Sequence, residues 1–175
     1  MEGSGEMFFA GLHIHTPMHK LRPDARCIVH VHAPYSTAIA MRKNFTRLPM
    51  THQNACLFLG RTAIDHSYKG LAKHMSEGER MCQVMKDKDV LFLKHHGVVV
   101  VGSSVASAVY QTYFLERACM FHVLAASGGQ EVDEIEEEAV KETYDQNMED
   151  YDHYVETFFK AMVSCVHRDM PGFDK

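Results

Sequence analysis

The sequence has neither a long apolar run nor a cluster of positive charge. No stretch approaches the roughly 18 consecutive apolar residues that a membrane-spanning helix needs, and residues 1–5 lack the basic and then apolar layout of a signal peptide. The basic residues are scattered along a chain of net charge -5, so they form no positive stripe of the kind that follows a phosphate backbone. These absences argue against a membrane or nucleic-acid partner and predict a cytoplasmic protein.

A disulfide framework is also missing from the sequence. The five cysteines are odd in number and widely spaced, no two of them form a Cys-x-x-Cys pair, and most lie in apolar stretches. This usage is typical of reduced thiols in the core of an intracellular protein.

The composition is that of a globular protein. Apolar residues make up 46% of the chain and charged residues 23%, which favours a packed core over disorder. A length of 175 residues fits one domain rather than two. We therefore predict a single domain over residues 1–175, of which residues 130–175 form a C-terminal helical segment and tail.

Strands and helices are predicted to alternate along the chain. Helix starts are predicted where capping residues precede apolar patterns, at Thr16, Ser76 and Ser104. An apolar stripe predicts one more helix over residues 139–165. Runs rich in β-branched residues predict strands in three places, over residues 27–32, 89–94 and 97–102. Strands interleaved with helices favour an α/β sandwich of layers.

Histidine departs from average usage, with 13 in the chain. Alternate residues of a strand face the same side, so His30 and His32 are predicted to share a face of their strand. His96 lies in the bend between two later strands, where it can supply a third nitrogen. Zinc at catalytic sites commonly takes three protein ligands and keeps one open position. On this pattern alone, however, ordinary strand and loop histidines are favoured over metal ligands.

Two blocks of the sequence, residues 12–33 and 92–102, resemble the class II aldolase/adducin family in their order and in the distance between them. Residues 60–64 and 115–119 agree more weakly. The resemblance implies a three-layer α/β/α sandwich around a central mixed, largely antiparallel sheet. It also implies a homo-oligomer, since members of the family are commonly tetramers.

The resemblance implies a metal centre as well. In the family's aldolases and epimerases, the histidines that match His30, His32 and His96 bind zinc or a similar cation, which polarises substrate oxygens and stabilises an enediolate. One divalent metal ion, zinc in the first place, is therefore expected. The implied function is a metal-dependent aldolase-type lyase or epimerase that acts on a small sugar or sugar phosphate. His95 either orients one of the ligands through a hydrogen bond or faces solvent as a loop residue.

The sequence departs from the family's enzymes near its start. Where they carry a Ser-Ser-Glu stretch, this chain has Phe9, Ala10 and Gly11, so glycine stands at the position of the acid/base glutamate. The family's phosphate-binding loop would lie before residue 1. This short start resembles the adducin-like branch, which implies an alternative function as a non-catalytic, adducin-head-like domain for binding or assembly, with or without the metal. A third interpretation is an incomplete gene model that has lost an N-terminal strand and loop.

Overall fold

The computed structural model describes residues 9–173. Four strands in this part of the chain form one sheet: β1 (Cys27–Val31), β2 (Thr62–Asp65), β3 (Val90–Leu93) and β4 (Gly97–Gly102). The helices are α1 (Phe9–Leu21), α2 (Pro34–Ala40), α3 (Gln53–Cys56), α4 (Met75–Met85), α5 (Val105–Ala126), α6 (Glu137–Glu149) and α7 (Tyr151–Asp169). Among the helices described, none is both long and apolar enough to span a membrane.

The sheet is mixed and largely antiparallel, as predicted. Its strand order is β1-β4-β3-β2, with antiparallel pairing of β1 to β4 and of β4 to β3, and parallel pairing of β3 to β2. Strand β4 is buried along its whole length, which explains its continuous run of valines, because both faces of a central strand pack against other layers. Val98 and Val100 contact one layer, and Val99 and Val101 contact the other.

Helices cover both faces of the sheet. Helices α1 and α4 contribute Ile14, Met18 and Met81 to the apolar cluster on one face. On the other face, α2, α3, α5 and α7 pack around Val98 and Phe92. The three-layer α/β/α arrangement is therefore confirmed, and the histidine-bearing ends of β1 and β3 emerge between the two helical layers.

The predicted start of α1 at Thr16 is wrong, whereas the helix predicted over residues 76–85 is confirmed to within one residue without the cap expected from Ser76. Helix α1 begins at Phe9, so Thr16 lies in its interior and Pro17 is inside the helix. Helix α4 begins at Met75, after His74, with no side-chain cap. The buried faces of α1 and α4 pack closely, since a Cβ on Gly78 of α4 would collide with the backbone of α1. This burial fixes the helix limits more strongly than the local capping signals do.

The C-terminal segment also differs from the single helix predicted over residues 139–165. It forms α6 and α7, which are separated at Asp150. Val140 of α6 and Val155 of α7 are both buried, and the break allows each helix to direct its own apolar side inward. The predicted start of α5 is confirmed, because the Ser104 side chain accepts a hydrogen bond from the Ser107 backbone N–H at 3.1 Å.

Candidate metal centre

The three histidines singled out from the sequence lie together at one end of the sheet. The register of β1 and β4 pairs His30 with Val99 and Val31 with Val98, so the end of β1 lies beside the bend that joins β3 to β4. The potential ligand atoms of His30, His32 and His96 all lie within 4.8 Å of one another. Their ring centroids are 4.7 to 5.1 Å apart.

A tight turn delivers His96 to this group. The His96 N–H donates to the Leu93 carbonyl oxygen at 3.1 Å, and β4 starts with the next residue, Gly97. His95 has a φ of 59°, a left-handed conformation that is uncommon for a residue with a side chain. The uncommon backbone conformation of His95 lets the chain reverse direction within the three residues between β3 and β4, which leaves the His96 ring beside β1.

The protonation of the site suits a metal ion. The Nδ1 atom of His30 lies 3.0 Å from the Val98 carbonyl oxygen; because a carbonyl can only accept, Nδ1 carries the proton and Nε2 keeps its lone pair. Burial lowers the pKa of His30 to about 4, against an opposing effect of this hydrogen bond. Burial, followed by the charge of His32, also lowers the pKa of His96. At neutral pH, His30 and His96 are therefore neutral, the form in which imidazole binds a metal.

The donor set fits a small divalent cation. Three imidazole nitrogens converge from the end of β1 and from the turn between β3 and β4. The His30 ring is oriented by a backbone carbonyl, as metal-binding histidines commonly are. Three nitrogens with one side left open are the protein ligands of many catalytic zinc sites. His30, His32 and His96 could thus hold one ion.

A cavity of about 340 Å³ opens directly on the three rings. Gly11, for which the resemblance predicts the place of an acid/base glutamate, lines this cavity. Among residues 9–173, no carboxylate lines it. Position 11 therefore lies at the same cavity as the three histidines, and its glycine brings no side chain to them.

His95 lies at the edge of the site. Its side chain is exposed, and its ring centroid is 6.3 Å from that of Tyr68. The hydrogen bond that orients His30 comes from Val98 instead. A role for His95 in orienting a ligand stays a prediction.

Other histidines serve the fold. His13 and His19 hydrogen-bond through Nδ1 to the carbonyl oxygens of Ala72 and Ala25, at 3.0 and 2.8 Å. His122 is 7% exposed and accepts at Nε2 from the Arg42 guanidinium at 2.6 Å. Burial and the Arg42 charge lower the pKa of His122, so it is a neutral packing residue at pH 7.

Glu116 supports the site and was not found from the sequence. Its carboxylate accepts hydrogen bonds from the backbone N–H groups of Tyr35 and Ser36, at 2.7 and 2.9 Å. These groups begin α2, directly after the turn that follows His32. Glu116 thereby ties the end of β1 to the layer formed by α5. Residues 115–119 resemble the family only weakly, and no local pattern of the sequence indicates that Glu116 contacts Tyr35, 81 residues earlier in the chain.

Removing this carboxylate is expected to loosen the chain after His32. Glu116→Ala should lower the free energy of unfolding by roughly 2 kcal/mol, because two partly buried N–H groups lose a charged acceptor. Glu116→Gln should cost about half as much. The measurement is urea unfolding, with Glu156→Ala as the control, since Glu156 is exposed on α7 and its ion pair with Lys160 spans 3.9 Å. Equal stability of Glu116→Ala and Glu156→Ala would contradict the role given to Glu116.

Comparison with known proteins places this geometry in a family. The sequence profile described as "Class II Aldolase and Adducin N-terminal domain" matches residues 2–123. Among solved structures, an aldolase II superfamily protein from Pseudomonas syringae superposes with a TM-score of 0.84 at 30% identity, over 95% of this chain and 66% of that one. The L-fuculose 1-phosphate aldolase from Glaciozyma antarctica PI12 superposes with a TM-score of 0.69 at 26% identity, over 83% of this chain and 55% of that one.

The similarity extends to adducin. Alpha-adducin of Rattus norvegicus is 37% identical over 123 residues, which are 69% of this chain and 16% of that protein. The chain spans about half the length of the curated relatives it matches, with 46% and 50% of those from Caulobacter vibrioides and Pseudomonas aeruginosa. Since the profile covers well over half of the sequence, the chain belongs to the class II aldolase and adducin N-terminal domain family.

Proposed function

We propose that the chain is a metal-dependent lyase of the aldolase type, or an epimerase, that acts on a small hydroxy-carbonyl compound such as a sugar or sugar phosphate. One divalent ion, zinc in the first place, is held by His30, His32 and His96. The observation that carries the proposal is the convergence of these three ligand atoms within 4.8 Å beside a cavity large enough for a small molecule. Membership of the family supports it.

The bound ion would supply a Lewis acid that stabilises negative charge on substrate oxygens when a bond next to a carbonyl breaks. The chain's own residues prepare the site for this. The Val98 carbonyl holds the His30 ring in one tautomer and one orientation. A compound bound in the cavity would displace water from its apolar walls, which would strengthen electrostatic interactions beside the histidines. Gly11 leaves space beside the rings, and a group other than position 11 has to move the proton.

The proposal extends to the whole chain. We propose that the protein is cytoplasmic and that residues 1–175 form a single domain. We also propose that it assembles with copies of itself, and a tetramer is the assembly that the family resemblance implies. Analytical ultracentrifugation of the purified chain measures this directly, and a monomer at micromolar concentration would contradict it.

Turnover by the zinc-loaded chain tests the activity. Purified protein is incubated with a panel of small hydroxy-carbonyl compounds, which includes sugars, sugar phosphates and aldols with a hydrocarbon end, and cleavage or epimerisation is followed by proton NMR. We expect turnover that disappears after chelation of the metal and in His96→Ala, but persists in His153→Ala, which removes an exposed histidine of α7. Zinc binding without turnover across the panel would instead support the adducin-head-like binding domain.

A further inference from the structure

We propose that the cavity beside the three histidines takes a hydroxy-carbonyl compound whose far end is apolar and carries no phosphate. This rests on the proposed function and narrows its substrate class. The oxygens of such a compound would lie towards the histidines, and its hydrocarbon end would lie along α1 and the segment that precedes α4.

The walls of the cavity away from the histidines are apolar. In the part of the chain that the structure describes, six residues form them: Ala10, Gly11, Ile14, Val31, Leu71 and Ala72. None of these side chains can donate or accept a hydrogen bond. A hydroxyl or phosphate placed against them would lose hydration and find no side-chain partner, whereas a hydrocarbon group gains roughly four-fold in affinity for each methylene that it buries.

Positive charge near the site lies outside this cavity. Lys69, Arg80 and Lys94 line a separate cavity that also touches His96, but its volume is about 10 Å³, room for about one water molecule and too little for a phosphate group. Arg80 is already paired, with Asp65 at 2.6 Å and with Glu77 at 3.1 Å. Among the described residues, none of the side chains that line the larger cavity carries a fixed positive charge.

A specific contact holds the apolar wall in place. His13 on α1 donates from Nδ1 to the Ala72 carbonyl oxygen at 3.0 Å, which fixes the segment before α4 against α1. Leu71, the preceding residue, lines the cavity although it is 71% exposed. An exposed leucine beside a group of ligand-type histidines is explained if it covers the hydrocarbon end of a bound compound.

The volume limits the size of that compound. A cavity of about 340 Å³ lies at the lower end of the roughly 300 to 1,000 Å³ of small-molecule sites. The cavity therefore has room for the two oxygens that would face the histidines and for a short branched hydrocarbon chain.

Calorimetric titration of the zinc-loaded full chain with three probes tests the inference. The probes are lactate, 2-hydroxy-4-methylpentanoate and phosphoglycolate, which share a carboxylate and a neighbouring oxygen but differ at the far end. We expect 2-hydroxy-4-methylpentanoate to bind at least about 10-fold more tightly than lactate, because three further carbons become buried, and to bind more tightly than phosphoglycolate. Tighter binding of phosphoglycolate, equal binding of the two hydroxy acids, or no binding of any probe would overturn the inference.

Two variants connect the selectivity to the wall. Leu71→Ser should weaken the affinity for 2-hydroxy-4-methylpentanoate about 3- to 5-fold and leave the affinity for lactate within about two-fold of the parent value. Because Leu71 is exposed, the substitution should not prevent folding. Leu124→Ser, at an exposed leucine near the end of α5, should change neither affinity. Elemental analysis of zinc precedes every titration, so a chain without the ion would refute the proposed function, whereas a loaded chain that prefers phosphoglycolate would refute only the narrowed substrate class.

Discussion

Replacing any one of His30, His32 and His96 by alanine is expected to abolish stoichiometric binding of zinc. The parent chain should carry about one ion per molecule after loading and dialysis. Outer partners of metal ligands already contribute about 10- to 100-fold to affinity, so loss of a direct ligand should cost at least about 100-fold. Each variant should therefore retain little zinc, as measured by elemental analysis of the dialysed protein and by competition with a chromophoric chelator.

The control for this set is His153→Ala, which removes an exposed histidine from α7 and should keep the full zinc content. Circular dichroism checks that each variant folds, because His30 is half-buried in a strand and a collapsed fold would lose the ion indirectly. A parent chain that takes up no ion, or variants that bind it as well as the parent, would contradict the centre.

The sequence alone places two of the three histidines side by side, because His30 lies in β1 and His32 follows one residue after the end of that strand. The alternation of side chains along β1 is enough to place His30 and His32 on the same face. His96 is different, since nothing local indicates that β1 pairs with β4, and only the family resemblance connected the two blocks. The structure brings them together through a register in which Val31 lies opposite Val98.

The features that the sequence does not predict are those that depend on distant packing. The sequence predicts that Thr16 caps the first helix, but burial of Ile14 and Met18 against α4 extends α1 by about two turns before Thr16. Glu116 and His13 look like ordinary helix residues, and each acquires its role from a backbone partner 59 or more residues away. Patterns of a few residues report local propensity, whereas such contacts depend on the assembled fold.

Gly97→Ala is expected to damage both the fold and the metal centre. A Cβ at this position would lie 2.5 Å from the Val31 carbonyl oxygen and 2.7 Å from Cδ2 of His32, so either the pairing of β1 with β4 or the ring of a proposed ligand has to move. Overpacking of this kind costs about 2 to 3 kcal/mol, and here the backbone atom cannot turn away. We expect that loss in urea unfolding of the metal-free protein, together with zinc affinity weakened about 10-fold or more.

The matched control is Gly128→Ala, because a Cβ there would meet nothing within 4 Å. Gly128 lies just after α5 with a φ outside the left-handed region, so alanine should leave stability unchanged or raise it by up to about 1 kcal/mol. If the two alanine variants have equal free energies of unfolding, the close approach of β4 to His32 is not a constraint on the fold. A Gly97→Ala chain that is destabilised but binds zinc normally would show that β1 moves as a whole and carries its histidines with it. Loss of affinity beyond the loss of stability is the result that identifies Gly97 as the residue that makes room for the His32 ring.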